Sequence, residues 1–468
     1  MTETKAGPFD VVVIGSGPGG YVAAVRAGQL GLRVAMVEKD DKLGGTCLWR
    51  GCIPTKVLLH NAYLYEQILD AKKLGIEVEG VKLNFPQLMK SKDDILRRQG
   101  NGVGYLMKKN KVQVFTGYGK IKRPGLVEVK GADKAVTLLE TKSIIIATGS
   151  EARAFPGMEP DGKGIITNVE ALSLEAVPKS IVVIGAGAVG IEFASVFRSF
   201  GSEVAVVEML GQVLPLEDEE VSKELEKLLK KRGIKIHTGS KTESIKAAKG
   251  GYEVKLSGAS SDTLTAEKVL VAVGRKPNVE NLGLENTKVK VEKGFIQVDG
   301  VLQTGEPGIY AIGDVVPTPL LAHVASAEGI LAVDHIKGLE AHPINYDRIP
   351  NVTYCDPQVA SVGLTEKKAK ERGHEVKIGR FPFAPNGKAR IEHEEDGFVK
   401  IVADAKYGEI LGVHIIHAKA GEMIPEGVAV LNGEMTADAL AHAVHPHPTL
   451  SEAIGEAAHA IYGLPIHM

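Results

Sequence analysis

The sequence predicts an α/β chain built on two Rossmann-like, doubly wound dinucleotide-binding domains. Three observations carry that prediction. A glycine-rich strand–turn–helix unit occurs twice; an acid ends the second strand of each copy; and each copy is closed later by an apolar strand running into a glycine turn.

The first copy is DVVVIGSGPGGYVAAVRAGQLGLRVAMVEK, Asp10 to Lys39. A β-branched run from Val11 to Ile14 predicts a strand. Gly15, Gly17 and Gly20 fit GxGxxG, a small-residue helix follows, and a second strand from Val34 to Val37 ends at Glu38. The first glycine makes the tight turn, the second lets backbone approach a pyrophosphate, and the third lets helix and strand pack closely. The helix N-terminus offers N–H groups to phosphate, and Glu38 is placed for ribose hydroxyls. The second copy is SIVVIGAGAVGIEFASVFRSFGSEVAVVEM, Ser180 to Met209, with Gly185, Gly187, Gly190 and a terminal Glu208. The glycine-to-acid offset is the same in both, 38 − 15 = 23 and 208 − 185 = 23. A lone GxGxxG is weak; two in this context make a chance glycine turn a poor explanation.

The closing strands are SIIIATGS, with Gly149 and Ser150, and KVLVAVGR, with Gly274. A further apolar strand in GIYAIGDVV ends at Gly313 and Asp314. Ligands in such folds bind at the carboxyl ends of strands, which suits Asp314 to a polar part of a cofactor; a turn aspartate is the plainer alternative. Two dinucleotides in one chain imply electron transfer between them. Glu208 stands where the 2′-phosphate of NADP would lie, which favours NAD in the second unit. The first unit runs directly into a cysteine pair, and a flavin exchanges electron pairs with a disulfide, so FAD is expected in the first.

The length of 468 residues suits two to four domains of roughly 100–200 residues. Lys plus Arg is 56 and Asp plus Glu is 58, a net charge of −2, which gives no support for a nucleic-acid partner. The polar start MTETKAGPFD lacks a signal-peptide layout. No apolar run approaches the ~18 residues of a membrane helix. A cytoplasmic protein without a membrane partner is expected, and there a close cysteine pair is catalytic more often than structural.

That pair is Cys47 and Cys52 in GGTCLWRGCIP, two of the three cysteines. A disulfide closing so short a loop is expected to be strained and easily reduced. Pro54 suits the first turn of a helix, TKVLLHNAYLY reads as that helix, and its N-terminal end favours a thiolate. Lys56 lies one turn beyond Cys52 on the same face. Cys355, in VTYCDPQVASVG, reads as a small buried strand residue. The C-terminal stretch HAVHPHPTLSE holds His442, His445 and His447; prolines interrupt any helix, no set of metal ligands is completed, and no metal is expected. Thr449 and Glu452 fit a capping box, which can coexist with an orienting role for Glu452.

GGTCLWRGCIPTK, the two dinucleotide units and YAIGDV resemble the pyridine nucleotide–disulfide oxidoreductases over nearly the whole chain. The ending HPHPTLSEAIGEAAHAIYG narrows the resemblance to members that oxidise protein-bound dihydrolipoamide and reduce NAD, as components of 2-oxo acid dehydrogenase or glycine cleavage complexes. It implies a homodimer with an FAD domain (1–150), an NAD domain (151–278), a central domain completing the FAD site (279–348) and a C-terminal α+β dimerisation domain (349–468). It implies that Cys47 exchanges with the dithiol while Cys52 lies against the flavin. It places Lys56 beside the flavin, paired with Glu192, where the residues alone would read as ordinary solvated charge. It assigns proton movement to His447, orientation of its imidazole to Glu452, and a supporting place to His445. Cofactor contacts are implied for the glycines and acids above and for Thr46, Gly119, Thr148, Gly149, Ser150, Asp314, Leu320, Ala322, His323 and Gly274. Trp49 and Arg50 depart from the family, which often has smaller residues there; this bears on redox potential rather than on the reaction. The glycine unit begins almost at once, so the lipoyl group is expected on other proteins. Cysteines near the start and His447 near the end suggest that His447 serves the partner subunit's cysteine pair. A glutathione-type reductase would show basic residues for NADP after the second unit, a mercuric reductase extra C-terminal cysteines, and a flavin-binding sensor would not need both the cysteines and His447–Glu452.

Overall fold

The computed structural model describes residues 3–468. The chain divides into two compact units, each assembled from three separated segments.

The first unit takes the residues up to Pro54, then Gln87–Arg153 and Arg275–Tyr346. Its sheet runs in the order Gln113–Thr116, Val34–Glu38, Glu3–Ile14, Val136–Ile146, Leu126–Lys130, Tyr118–Arg123. Ile309–Ala311 pairs in parallel with Val136–Ile146, alongside Ile144 to Ile146. The segment expected to form a central domain thus contributes a strand to the first dinucleotide sheet. The first strand extends to Glu3, well before the apolar run that marks it in sequence; Glu3 to Ala6 pair with Val136 to Leu139, and the register shifts between Ala6 and Phe9. Along Val11–Ile14 alternate residues enter two cores. Val11 and Val13 pack with Ala23, Ala24 and Ala27 of the helix Pro18–Gln29, while Val12 and Ile14 join Ile121, Val127 and Leu139. A strand buried on both faces reads as an unbroken apolar run, as VVVI does.

The second unit takes Thr55–Pro86, Ala154–Gly274 and the chain from Asp347 onward. It repeats the parallel arrangement, in the order Lys235–His237, Glu203–Val207, Ser180–Ile184, Lys268–Val271, Ile165–Ile166, with the helix Ala188–Ser199 after the second glycine turn. A three-stranded antiparallel sheet (Ser240–Ala248, Gly251–Gly258, Thr263–Ala266) sits between the parallel strands in sequence. From Asn351 the pattern becomes α+β. An antiparallel sheet of order Asn351–Thr353, Gln358–Gly363, Ile410–His417, Phe398–Asp404, Val376–Pro382 shares a core with the helices Ala420–Asn432, Ala437–Ala441 and Glu452–Ala460. Among the described residues no helix is long and apolar enough to cross a membrane.

Candidate active site

Each glycine turn is locked by the acid that ends its second strand. In the first, Glu38 accepts the Ser16 N–H at 2.8 Å, the Ser16 hydroxyl at 2.6 Å and the Asp40 N–H at 3.0 Å. In the second, Glu208 accepts the Ala186 N–H at 2.7 Å and the Leu210 N–H at 2.9 Å. Both carboxylates are buried. The acid therefore ties the turn to the strand end through the protein's own hydrogen bonds.

The glycines behave alike in both copies. Gly15 and Gly185 hold φ of +105° and +101°, which favours glycine. A Cβ on Gly20 or Gly190 would stand 1.9 Å from the carbonyl of Gly15 or Gly185, whereas one on Gly17 or Gly187 would meet nothing within 4 Å. Two positions are closed by packing and the middle one opens onto space at a helix N-terminus, a cradle that fits a dinucleotide pyrophosphate.

Around the closing strand of the first unit, the Ser150 hydroxyl bonds to Asp314, and Arg275 Nε donates to the same hydroxyl at 2.6 Å. Thr148 Oγ1 donates to the Asn278 carbonyl at 2.7 Å. Gly149 and Gly274 hold φ of +67° and +113°, with open space where a Cβ would be. Asp314 lies in the short 3-10 turn Gly313–Val315, beyond Ile309–Ala311, as the sequence suggests. Glu328 was not singled out in sequence. It is fully buried, accepts the Gly313 N–H at 2.6 Å and the Tyr346 hydroxyl at 2.9 Å, and burial pushes its carboxyl up from the usual range. Its partners lie far along the chain, so no local pattern marks it. Gly119 is filled in by packing: a Cβ there would sit 3.1 Å from Ile14 and Val37 side-chain atoms. Leu320 is half-buried, and Ala322 and the exposed His323 open the helix Ala322–Lys337.

The cysteine stretch differs from its expected form. The span between the cysteines is not a loop: Thr46, Cys47, Trp49 and Arg50 lie in the short helix Gly45–Arg50, and the next helix, Cys52–Leu69, starts at Cys52 itself, two residues ahead of Pro54. Six residues bounded by glycines are too few to show helical periodicity. Both cysteines are half-buried. The two unusual residues are anchored: Trp49 Nε1 donates to the Leu43 carbonyl at 2.8 Å, and Arg50 pairs with Asp40. Gly100 gives the indole room, since a Cβ there would stand 2.5 Å from the ring.

Within the second unit Lys56 Nζ meets both oxygens of Glu192, at 2.8 and 2.9 Å. The structure thus brings together two residues 192 − 56 = 136 positions apart. Cys355 is buried, but it lies in the bend between Asn351–Thr353 and Gln358–Gly363 rather than in a strand. Its Sγ lies 3.0 Å from the Pro357 carbonyl, and burial pushes its thiol up, keeping it protonated.

The three C-terminal histidines have separate partners. His442 Nδ1 lies 2.8 Å from the Asp438 carbonyl, His445 Nε2 2.7 Å from Glu426, and His447 Nδ1 2.9 Å from Glu452 Oε1. Among the described residues no group of three His, Cys, Asp or Glu is placed to hold a metal. Glu452 divides its oxygens: the second accepts the Thr449 N–H at 2.8 Å. Half of the capping box exists; the other half does not, because the Thr449 hydroxyl turns back to the Pro446 carbonyl and the helix begins at Glu452. Burial acts to raise the Glu452 carboxyl, but the Thr449 N–H and the His447 ring outweigh it and hold it below the usual range. A carboxylate on Nδ1 fixes the tautomer that leaves Nε2 as proton acceptor.

The family profile described as pyridine nucleotide-disulphide oxidoreductase matches residues 9–329, and that family's dimerisation-domain profile matches residues 349–458. Dihydrolipoyl dehydrogenase of Bacillus subtilis (strain 168) is 48% identical, covering 98% of this chain and 99% of its own. That of Rhizobium etli is 45% identical, with 97% and 98% covered. Mitochondrial dihydrolipoyl dehydrogenase 1 of Arabidopsis thaliana is 42% identical, with 98% and 91% covered. Among solved structures, LpdA of Mycobacterium tuberculosis aligns with a TM-score of 0.90 at 27% identity, covering 98% of this chain and 99% of that one.

Proposed function

The chain belongs to the pyridine nucleotide–disulphide oxidoreductases, and on that premise we propose that it is a dihydrolipoyl dehydrogenase, oxidising protein-bound dihydrolipoamide and reducing NAD. The observation that carries the reading is the cysteine pair, Cys47 in the short helix Gly45–Arg50 and Cys52 opening the helix that bears Lys56, in a chain with two matching glycine–acid turns. FAD held by the turn at Gly15, Gly17 and Gly20, and NAD held by the turn at Gly185, Gly187 and Gly190, supply the electron-pair and hydride acceptors when bound.

The chain's own residues handle sulfur and protons. His447 Nε2 takes the proton of one substrate thiol, and the thiolate attacks Cys47 of the Cys47–Cys52 disulfide. The Cys47–Cys52 bond breaks, and Cys52 leaves as a thiolate at a helix N-terminus, where such charge is favoured. The second substrate thiol then attacks the substrate sulfur joined to Cys47, its proton passing to Cys47, which leaves as a thiol as the lipoyl disulfide closes. The dithiol has lost two electrons and two protons, and the cysteine pair has gained the electrons. Glu452 holds His447 in the tautomer this needs and stabilises its charged form. Lys56, fixed by Glu192, sets a positive charge one turn from Cys52.

The reading extends to a cytoplasmic homodimer of 1–150, 151–278, 279–348 and 349–468 domains, working on lipoyl-bearing domains of other proteins in multienzyme complexes. It includes the remaining cofactor contacts expected in the sequence and His447 serving the partner subunit's cysteines. The experiment is dihydrolipoamide-dependent reduction of NAD by the purified flavin-loaded protein. Loaded protein that turns over glutathione disulfide or mercuric ion but not lipoamide would end the reading.

A further inference from the structure

The Lys56–Glu192 pair is held from a third side. Tyr354 donates its backbone N–H to Glu192 Oε1 at 2.9 Å, and Lys56 Nζ lies 4.7 Å from the centroid of the Tyr354 ring. Glu192 is 4% exposed, whereas the Lys56 side chain keeps 34% of its surface. The ammonium is thus drawn to a buried carboxylate on one side and to a ring face on another, and it keeps an open side. A lysine head is a compact charge on a flexible stem, so where it stands depends on what confines it.

The segment that presents Tyr354 is itself fastened. Asp356 pairs with Arg232 at 2.6 Å, and Arg232 pairs with Glu66 at 2.6 Å. Glu66 lies on the same helix as Lys56, 66 − 56 = 10 residues on. Residues 354 to 356 therefore grip that helix at two points, once through the Lys56 cluster and once through the Arg232 cluster. Glu192 is the carboxylate that bonds the lysine, and Glu66, Arg232 and Asp356 form a second charged cluster that reaches the same helix at Glu66.

We propose that Tyr354 is a positioning residue for Lys56: its ring and its N–H together fix the ammonium against Glu192, so that one defined positive charge faces the flavin. The inference rests on the reading that Lys56 serves the flavin, and adds the residue that decides where Lys56 stands. Ring and N–H are separable, because a side-chain substitution keeps the N–H bond and removes the ring.

The test uses the flavin-loaded enzyme and three variants, Tyr354→Leu, Tyr354→Phe and Lys56→Met. The readouts are the long-wavelength thiolate–flavin absorbance after reduction with dihydrolipoamide, its pH midpoint, and the thermal unfolding midpoint. Tyr354→Leu should weaken the band and move its pH midpoint upward, since a less confined ammonium stabilises the thiolate less; turnover should fall about two- to thirtyfold, the span of a cation–π contact. Tyr354→Phe should match the unmodified enzyme, and Lys56→Met should shift the band further in the same direction. If Tyr354→Leu fails to load flavin, Tyr354→Met takes its place. A ring-less variant with an unaltered band and midpoint, beside a Lys56→Met that displaces both, overturns the role of Tyr354 and leaves the Lys56 reading standing. A Lys56→Met that moves neither removes that reading and this inference with it. A shift reproduced by Tyr354→Phe assigns the effect to the hydroxyl and overturns the ring's role.

Discussion

Replacing Glu208 with alanine separates its task in the turn from the recognition proposed for it. Its buried carboxylate accepts two backbone N–H groups, from Ala186 at 2.7 Å and Leu210 at 2.9 Å. Alanine takes the acceptor from both. At about 1–3 kcal/mol for each buried donor left unsatisfied, with water filling part of the gap, the loss is about 2–4 kcal/mol of local stability. The second task, proposed from the sequence, is recognition: a charge there would bond ribose hydroxyls and repel a 2′-phosphate. Glu38 serves as an internal control, because it accepts the Ser16 N–H at 2.8 Å and the Asp40 N–H at 3.0 Å in the same pattern, within the other glycine turn. Both Glu208→Ala and Glu38→Ala should lower the thermal unfolding midpoint. Glu208→Ala alone should narrow the ratio of kcat/KM for NADH over NADPH, by about tenfold for each 1.4 kcal/mol of lost discrimination. An unchanged ratio in Glu208→Ala, or an equal change in Glu38→Ala, refutes the assignment of NAD to the second turn.

Three further outcomes are expected. Cys47→Ser should keep a long-wavelength thiolate–flavin band while Cys52→Ser loses it, with lipoamide turnover collapsing in both; the reverse spectra would exchange the cysteines' roles. His447→Ala should lose on the order of 10²–10⁴ in rate, as for a general acid–base, and a hybrid dimer of Cys47→Ser with His447→Ala subunits should regain about half the activity of the unmodified dimer if His447 serves the partner subunit, since one of two sites is rebuilt; an inactive hybrid ends the shared site. The Glu394 carboxyl is raised to about 7, chiefly by burial and by the nearby Asp356, while its bond from Tyr63 opposes the shift. The folded state therefore holds this proton more tightly, and the stability it confers is full below the unfolded value of 4.5 and lost as pH rises through about 7. Glu394→Gln should be more stable than the unmodified enzyme above that pH, with the difference vanishing toward acid in unfolding scans; equal curves at all pH values would contradict it.

What the sequence makes legible are the places where backbone geometry dictates the residue. The glycines at 15, 20, 185 and 190 are required by positive φ or by a carbonyl 1.9 Å from any Cβ, so their spacing is visible without a structure. The acids at 38 and 208 are visible for the same reason, since each must reach back to its own turn. Lys56 with Glu192, Tyr354 with both, and Glu328 with Gly313 and Tyr346 are products of topology; nothing near any of them in the chain announces the partner, and Lys56–Glu192 is foreseen by resemblance alone. The helical span between the cysteines was hidden by its shortness. The missing half of the Thr449 cap was hidden by Pro446, whose carbonyl takes the hydroxyl that the motif assigns to the helix.

The motif that identifies the fold is a weaker guide to the reaction. Glu38 and Glu208 are needed by their turns whether or not a ribose is bound, so a glycine–acid unit of this spacing certifies a folded loop first and a nucleotide second. Duplicating it says that two dinucleotides fit, and stops there. The proposed chemistry calls on residues outside the turns: Cys47 in one short helix and Cys52 opening the next, a lysine one turn on that meets a distant carboxylate and lies beside a tyrosine ring, and a histidine whose Nδ1 lies against Glu452. On the function proposed above, the reaction rests on these side chains being there together.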